Sequence, residues 1–87
     1  MTTAEITVLN KSGIHARPAA LIVQIAGKFS SDIHFARDED RINAKSILGV
    51  IALGASHNTT LTIEADGPDE KEAVAALVEI FQSKFSS

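Results

Sequence analysis

The stretch Thr59 to Ala65, TTLTIEA, alternates polar and apolar side chains without interruption, and that alternation decides what the chain around it can become. A period of two places Leu61, Ile63 and Ala65 on one side of an extended backbone and Thr60, Thr62 and Glu64 on the other. A strand that is dry on one face and wet on the other belongs to a mostly antiparallel sheet whose apolar face is covered by helices. Two further segments repeat the pattern. Glu5 to Leu9 (EITVL) turns Ile6 and Val8 inward, and Asp32 to Arg37 (DIHFAR) sets Ile33 and Phe35 against His34. After the acidic turn DED, Arg41 to Ala44 (RINA) has the length of a short returning strand.

Between the strands lie three segments of helical character. Ala16 to Ala26 (ARPAALIVQIA) carries Pro18 near its start, where a missing N–H costs little, and Gly27 stands where a left-handed cap is favoured. Ser46 occupies the N-cap position of a short helix, ILGVIAL, which Gly54 ends. Asp69 and Glu72 have the spacing of a capping box ahead of a longer helix striped with Val74, Leu77, Val78, Phe81 and Phe85. The order βαββαβα predicts an α+β fold. It should be a two-layer open-faced sandwich, a four-stranded mostly antiparallel sheet with three helices on one face. With 87 residues, 45% of them apolar, the chain suffices for one core, so residues 1–87 are expected to form a single domain. Four Phe and no Trp or Tyr leave that core to aliphatic side chains.

Composition removes several classes of function. There is no cysteine, hence no disulfide and no thiolate metal site. No His or acidic cluster has metal-site spacing, so neither metal nor cofactor is expected. Eight basic against eleven acidic residues give a net charge of −3, which argues against a nucleic-acid footprint and points to protein or small-molecule partners. No stretch approaches the roughly 20 apolar residues of a membrane span, and the start MTTAEITVLNKSG lacks a basic, then apolar, leader. The mature chain is expected to begin at Met1 or Thr2. His34, His57 and the run RDEDR read as wet surface groups.

The segment GIHARPA, Gly13 to Ala19, carries the chemistry. A histidine taken alone is usually an exposed loop residue, and an arginine alone a solvated charge. Their spacing with Gly13 and Pro18 places His15 at the mouth of a helix whose first N–H groups lack internal partners and whose dipole favours an anion. Arg17 can add a charge-assisted hydrogen bond to the same anion. A neutral imidazole there has a ring lone pair able to attack phosphorus. Phosphoryl transfer asks a protein mainly for positioning and charge stabilisation, and this short segment can supply both.

The motif NKSGIHARPAA resembles the active-site signature of the HPr family, the histidine-containing phosphocarriers of the bacterial phosphoenolpyruvate-dependent sugar phosphotransferase system. The likeness extends over essentially the whole chain and includes a second signature, KSILGV, from Lys45 to Val50. It implies a cytoplasmic carrier, not an enzyme, whose His15 accepts a phosphoryl group from enzyme I through its δ1 nitrogen and passes it to EIIA domains of sugar permeases. Arg17 then becomes the phosphate partner and the Ala16 and Arg17 amides candidate donors, with Ser12 and Pro18 in support.

The same resemblance makes Ser46 a candidate for regulatory phosphorylation by an HPr kinase/phosphorylase, linked through a transcriptional regulator to carbon catabolite repression. By itself, Ser46 is an ordinary N-cap. Ala20, Gln24, Ile47, Leu48 and Ile51 fall at the family's partner-docking positions, although in a helix this short some of Ile47, Leu48, Val50, Ile51 and Leu53 must be core. Ala20 and Leu48 depart from the threonine and methionine frequent in the Gram-positive branch. Three other readings stand beside this one: a carrier of a nitrogen-related phosphorelay, a binding-only coregulator, against which the presence of His15 counts, and a domain without phosphoryl chemistry.

Overall fold

The computed structural model describes residues 1–83 and 85. The rest of the expected 1–87 domain, residues 84, 86 and 87, lies outside the description. Its elements are β1 (Thr2–Thr7), α1 (Ala16–Ala26), β2 (Asp32–Arg37), β3 (Asp40–Asn43), α2 (Ile47–Leu53), β4 (Thr60–Asp66) and α3 (Glu70–Gln82).

The four strands form one sheet in the order β1-β4-β2-β3, and every pairing is antiparallel. In register, Ile6 lies opposite Leu61, while Phe35 lies opposite both Ile63 and Ile42, so the apolar positions of all four strands share a face. Onto that face pack the buried sides of the helices: Ala19, Ile22 and Ala26 of α1, Val50 and Leu53 of α2, and Ala73, Val74, Leu77 and Phe81 of α3. α1 lies between the other two, touching both α2 and α3. Thr3, Glu5, Thr7, His34 and Glu64 line the opposite, uncovered face. This is the open-faced sandwich that the alternation requires.

Several local expectations shift, each for a physical reason. The first strand spans Thr2–Thr7 rather than Glu5 to Leu9, because Thr2, Thr3 and Ala4 pair with Ala65, Glu64 and Ile63, partners invisible in local sequence. Val8 is still buried, and its N–H and C=O still bond to Thr59 and Asn58. The third strand begins one residue early, at Asp40, after a two-residue turn in which Asp38 takes φ +54°. Gly27 is right-handed, with φ −66°; α1 runs out through tight turns in which Lys28 and Phe29 N–H bond to Ile25 and Ala26 carbonyls, so no left-handed cap is needed. Phe85 lies beyond the helix whose stripe it was expected to join. Its ring meets that of Phe81 edge-on at 4.9 Å between centroids.

The capping box is also displaced. Asp69 makes no cap bond, because its carboxylate accepts from the Ser30 and Ser31 N–H groups and the Ser31 hydroxyl, all in the turn after α1. Glu70, the first residue of α3, instead accepts from Gly67 N–H, ahead of the cap, and from the Thr2 hydroxyl. The run RDEDR is less free than a solvated turn: Arg37 donates to the Leu53 carbonyl at the end of α2, and Arg41 pairs with Glu64 at 2.8 Å. No helix among the described residues is long and apolar enough to cross a membrane.

Candidate functional site

His15 is the N-cap residue of α1, in extended conformation and exposed. Two features of the preceding loop place it there. Gly13 adopts φ +71°, and a Cβ built on it would lie 2.7 Å from the Ala55 carbonyl oxygen, so the loop approaches the segment after α2 more closely than a side chain allows. Ile14 is buried, and its N–H donates to that same Ala55 carbonyl at 2.8 Å. The histidine therefore emerges from a backbone pinned at both preceding residues.

On one side of the ring, Nε2 lies 3.3 Å from the Ser12 hydroxyl. When Nε2–H donates to that oxygen, the lone pair stands on Nδ1. The opening turn of α1 follows directly in the chain. Its earliest internal bond runs from Ala19 N–H to the His15 carbonyl, and Pro18 has no N–H, so the Ala16 and Arg17 amides are the turn's remaining donors. The turn contains no acidic residue. Arg17 is exposed, and it enters none of the ion pairs among the described residues. Two amide donors and a guanidinium that follow an exposed imidazole within two residues are the groups from which an anion site around a nucleophile can be built.

Other residues of α1 and α2 extend this surface. Pro18 is buried at the third position of α1, facing inward, whereas Arg17, Ala20 and Gln24, spaced by three and four, share an outer stripe. Beside them, α2 exposes Ile47 (43%), Leu48 (77%) and Ile51 (40%) and buries Val50 and Leu53. Ser46 caps α2, its hydroxyl accepting from Gly49 N–H at 3.1 Å. No side-chain hydrogen bond among the described residues ties His34 or His57 to this surface. Among the described residues, no group of three or more His, Cys, Asp or Glu could hold a metal ion.

A residue that motif reading passed over also belongs to the site. Asn10 receives the Gly13 N–H on its backbone carbonyl and donates its side-chain amide to the Gly13 carbonyl. Its signal in the sequence was the turn chemistry of NKSG, in which asparagine folds back on the backbone.

A family model described as the PTS HPr component phosphorylation site matches residues 2–83. The chain belongs to the HPr family. It is similar to the phosphocarrier protein HPr of Treponema pallidum (strain Nichols), with 49% identity over 85 residues, 98% of this chain and 97% of that protein. The corresponding protein of Cupriavidus necator is 42% identical over 85 residues, covering 98% and 96% of the two chains. Among solved structures, HPr from Thermoanaerobacter tengcongensis superposes with a TM-score of 0.96 at 48% identity, over 100% of this chain and 98% of the other. HPr proteins are phosphocarriers of the phosphotransferase system, taking up and handing on a phosphoryl group without independent turnover. The fold and the carrier activity expected from the sequence are therefore those of an HPr.

Proposed function

We propose that His15 is the phosphorylated residue of this HPr, taking a phosphoryl group from phospho-enzyme I, ultimately from phosphoenolpyruvate, and passing it to EIIA domains of sugar permeases in the cytoplasm. The observation that carries the reading is the exposed ring at the mouth of α1, held by Ser12 on Nε2 with the Ala16 and Arg17 amides unengaged. Nδ1 attacks phosphorus in line as the donor's bond to phosphorus breaks. The ring, positively charged at that moment, keeps its Nε2–H on Ser12. The PO₃ oxygens lie against the two amides, which the helix backbone holds in place, and the exposed Arg17 guanidinium closes on them. Transfer onward reverses these steps, with His15 as the leaving group. Pro18 supports the turn by fixing its backbone without occupying a donor position.

Partners dock on the surface made by Ala20 and Gln24 of α1 and by Ile47, Leu48 and Ile51 of α2. An exposed apolar patch beside a reactive group is what a transient protein contact uses. Ser46 is in addition a site for an HPr kinase/phosphorylase. Phosphate there brings about −1.5 to −2 charges to the positive end of α2, a tolerable place within the fold, and confronts an arriving acidic partner with like charge. Modified Ser46 then slows transfer from enzyme I and favours a transcriptional regulator.

Incubation with enzyme I and phosphoenolpyruvate, followed by intact-mass measurement at alkaline pH, tests the central assignment. One acid-labile phosphate should appear on the wild-type chain and none on His15→Ala. A phosphate that persists on His15→Ala would sink it. Failure of the kinase to label Ser46 would remove the regulatory part alone.

A further inference from the structure

The peptide unit joining Gly13 to Ile14 has both of its polar ends engaged: its carbonyl by the Asn10 side-chain amide, its N–H by the Ala55 carbonyl. The peptide before it is held as well, through Gly13 N–H to the Asn10 carbonyl at 3.1 Å. Asn10 therefore closes the turn Asn10 to Gly13 twice, once with its main chain and once with its side chain. Ser12, whose hydroxyl meets His15 Nε2, lies inside that turn.

The closure has a cost. Asn10 Oδ1 is buried and has no hydrogen-bond partner among the described residues. A buried acceptor left unpaired works against stability, and such groups are uncommon enough to require a reason. Turning the amide over would bring Oδ1 against the Gly13 carbonyl, acceptor to acceptor. The orientation is thus dictated by the donor's task, and the orphaned oxygen is its consequence.

We propose that Asn10 is a positioning residue for phosphoryl transfer: by locking the turn, it sets the Ser12 hydroxyl against the His15 ring and so fixes the direction of the attacking nitrogen. The proposal rests on the assignment of His15 as the phosphoryl site. Asn10 itself touches neither the ring nor the anion site by any hydrogen bond; it acts through Ser12 and Gly13. A nucleophile whose aim depends on one loop loses rate when that loop loosens, even where docking is untouched, because small misplacements of reacting atoms are costly.

The test uses the full chain with enzyme I and labelled phosphoenolpyruvate, each variant first shown to be folded at the assay temperature by circular dichroism. Asn10→Asp keeps the shape of the side chain and replaces the donor with an acceptor; Asn10→Ala removes the group, and either variant alone suffices if the other does not fold. Each should lower kcat about tenfold while KM stays within about twofold, since the α1 and α2 docking surface does not include residue 10. In a Ser12→Ala background the same substitutions should cost less than about twofold, because the group through which Asn10 acts is gone. An unchanged kcat, a loss carried by KM alone, or an undiminished loss in the Ser12→Ala chain each overturns the proposal. Failure of the wild-type chain to take phosphate on His15 overturns the His15 assignment and this proposal together.

Discussion

Asp69 stands where a side chain would ordinarily cap α3, yet its carboxylate reaches across the fold to the turn after α1. There the Ser31 hydroxyl, the Ser30 N–H and the Ser31 N–H all donate to it, and these bonds hold its pKa below the ordinary value of 3.8. A carboxyl that ionises more easily when folded contributes stability above its unfolded pKa and loses it as pH falls through the folded one. The thermal midpoint of the wild-type chain should accordingly exceed that of Asp69→Ala at neutral pH, and the gap should close in acid below 3.8. A gap that stayed constant down to that range would show that the bonds do not depend on the charge. Glycines at the residue scale make a matched pair. Gly13 combines φ +71° with a Cβ position 2.7 Å from Ala55 O, whereas Gly54 has φ +63° and nothing nearer than Ala52 O at 3.8 Å. Gly54→Ala should cost about 1 kcal/mol, the left-handed penalty alone. Gly13→Ala should cost more, roughly 2–3 kcal/mol, because the loop must also move away from Ala55. Urea unfolding of the two variants checks the order.

At the scale of elements, α2 separates the roles of neighbouring apolar residues. Leu48 is 77% exposed and Leu53 is buried against the sheet. Leu48→Ala should leave stability within about 0.5 kcal/mol, while Leu53→Ala should cost roughly 2–4 kcal/mol. If Leu48 serves docking, its truncation should instead raise the KM for transfer from enzyme I. Which of these residues faced out was not legible in ILGVIAL, since the segment is apolar at six of seven positions and carries no polar stripe. By contrast, the bounds of α1, β2 and α2 were readable, because Pro18, Gly54 and the Ser46 cap are local signals acting within a few residues. What escaped was set by distant partners: the extra length of β1 by its register with β4, and the diversion of Asp69 by Ser30 and Ser31, 38 or more positions away. The motif of the candidate site was the most legible part, since Gly13, His15, Arg17 and Pro18 lie within six residues, whereas the pinning of its loop against Ala55, far along the chain, was not. Asn10 was not, because its importance comes from an amide bonded to one carbonyl.

Across the whole molecule, stability and chemistry have separate centres. Phe81 of α3 packs edge-on against Phe35 of β2 at 5.7 Å and against Phe85 at 4.9 Å, gathering three of the four aromatic side chains into one cluster. The His15 loop, by contrast, is tied to Ala55 behind α2 and to Asn10, not to α3. A domain of this size has about 0.05–0.15 kcal/mol of stability per residue, so its whole margin is roughly 4–13 kcal/mol. Phe81→Ala removes about 3–5 kcal/mol of that, which corresponds to a fall in thermal midpoint of more than about 12 °C. Yet at a temperature where the variant remains folded, its rate of phosphate uptake from enzyme I should match the wild type. His15→Ala should do the reverse: an exposed ring with one side-chain partner leaves stability within about 0.5 kcal/mol when removed, while uptake disappears. Paired measurements of thermal midpoint and transfer rate on the two variants check this separation. A Phe81→Ala chain that was folded but slow would mean that the aromatic cluster reaches the His15 loop through the helices, with α1, which touches both α2 and α3, as the path.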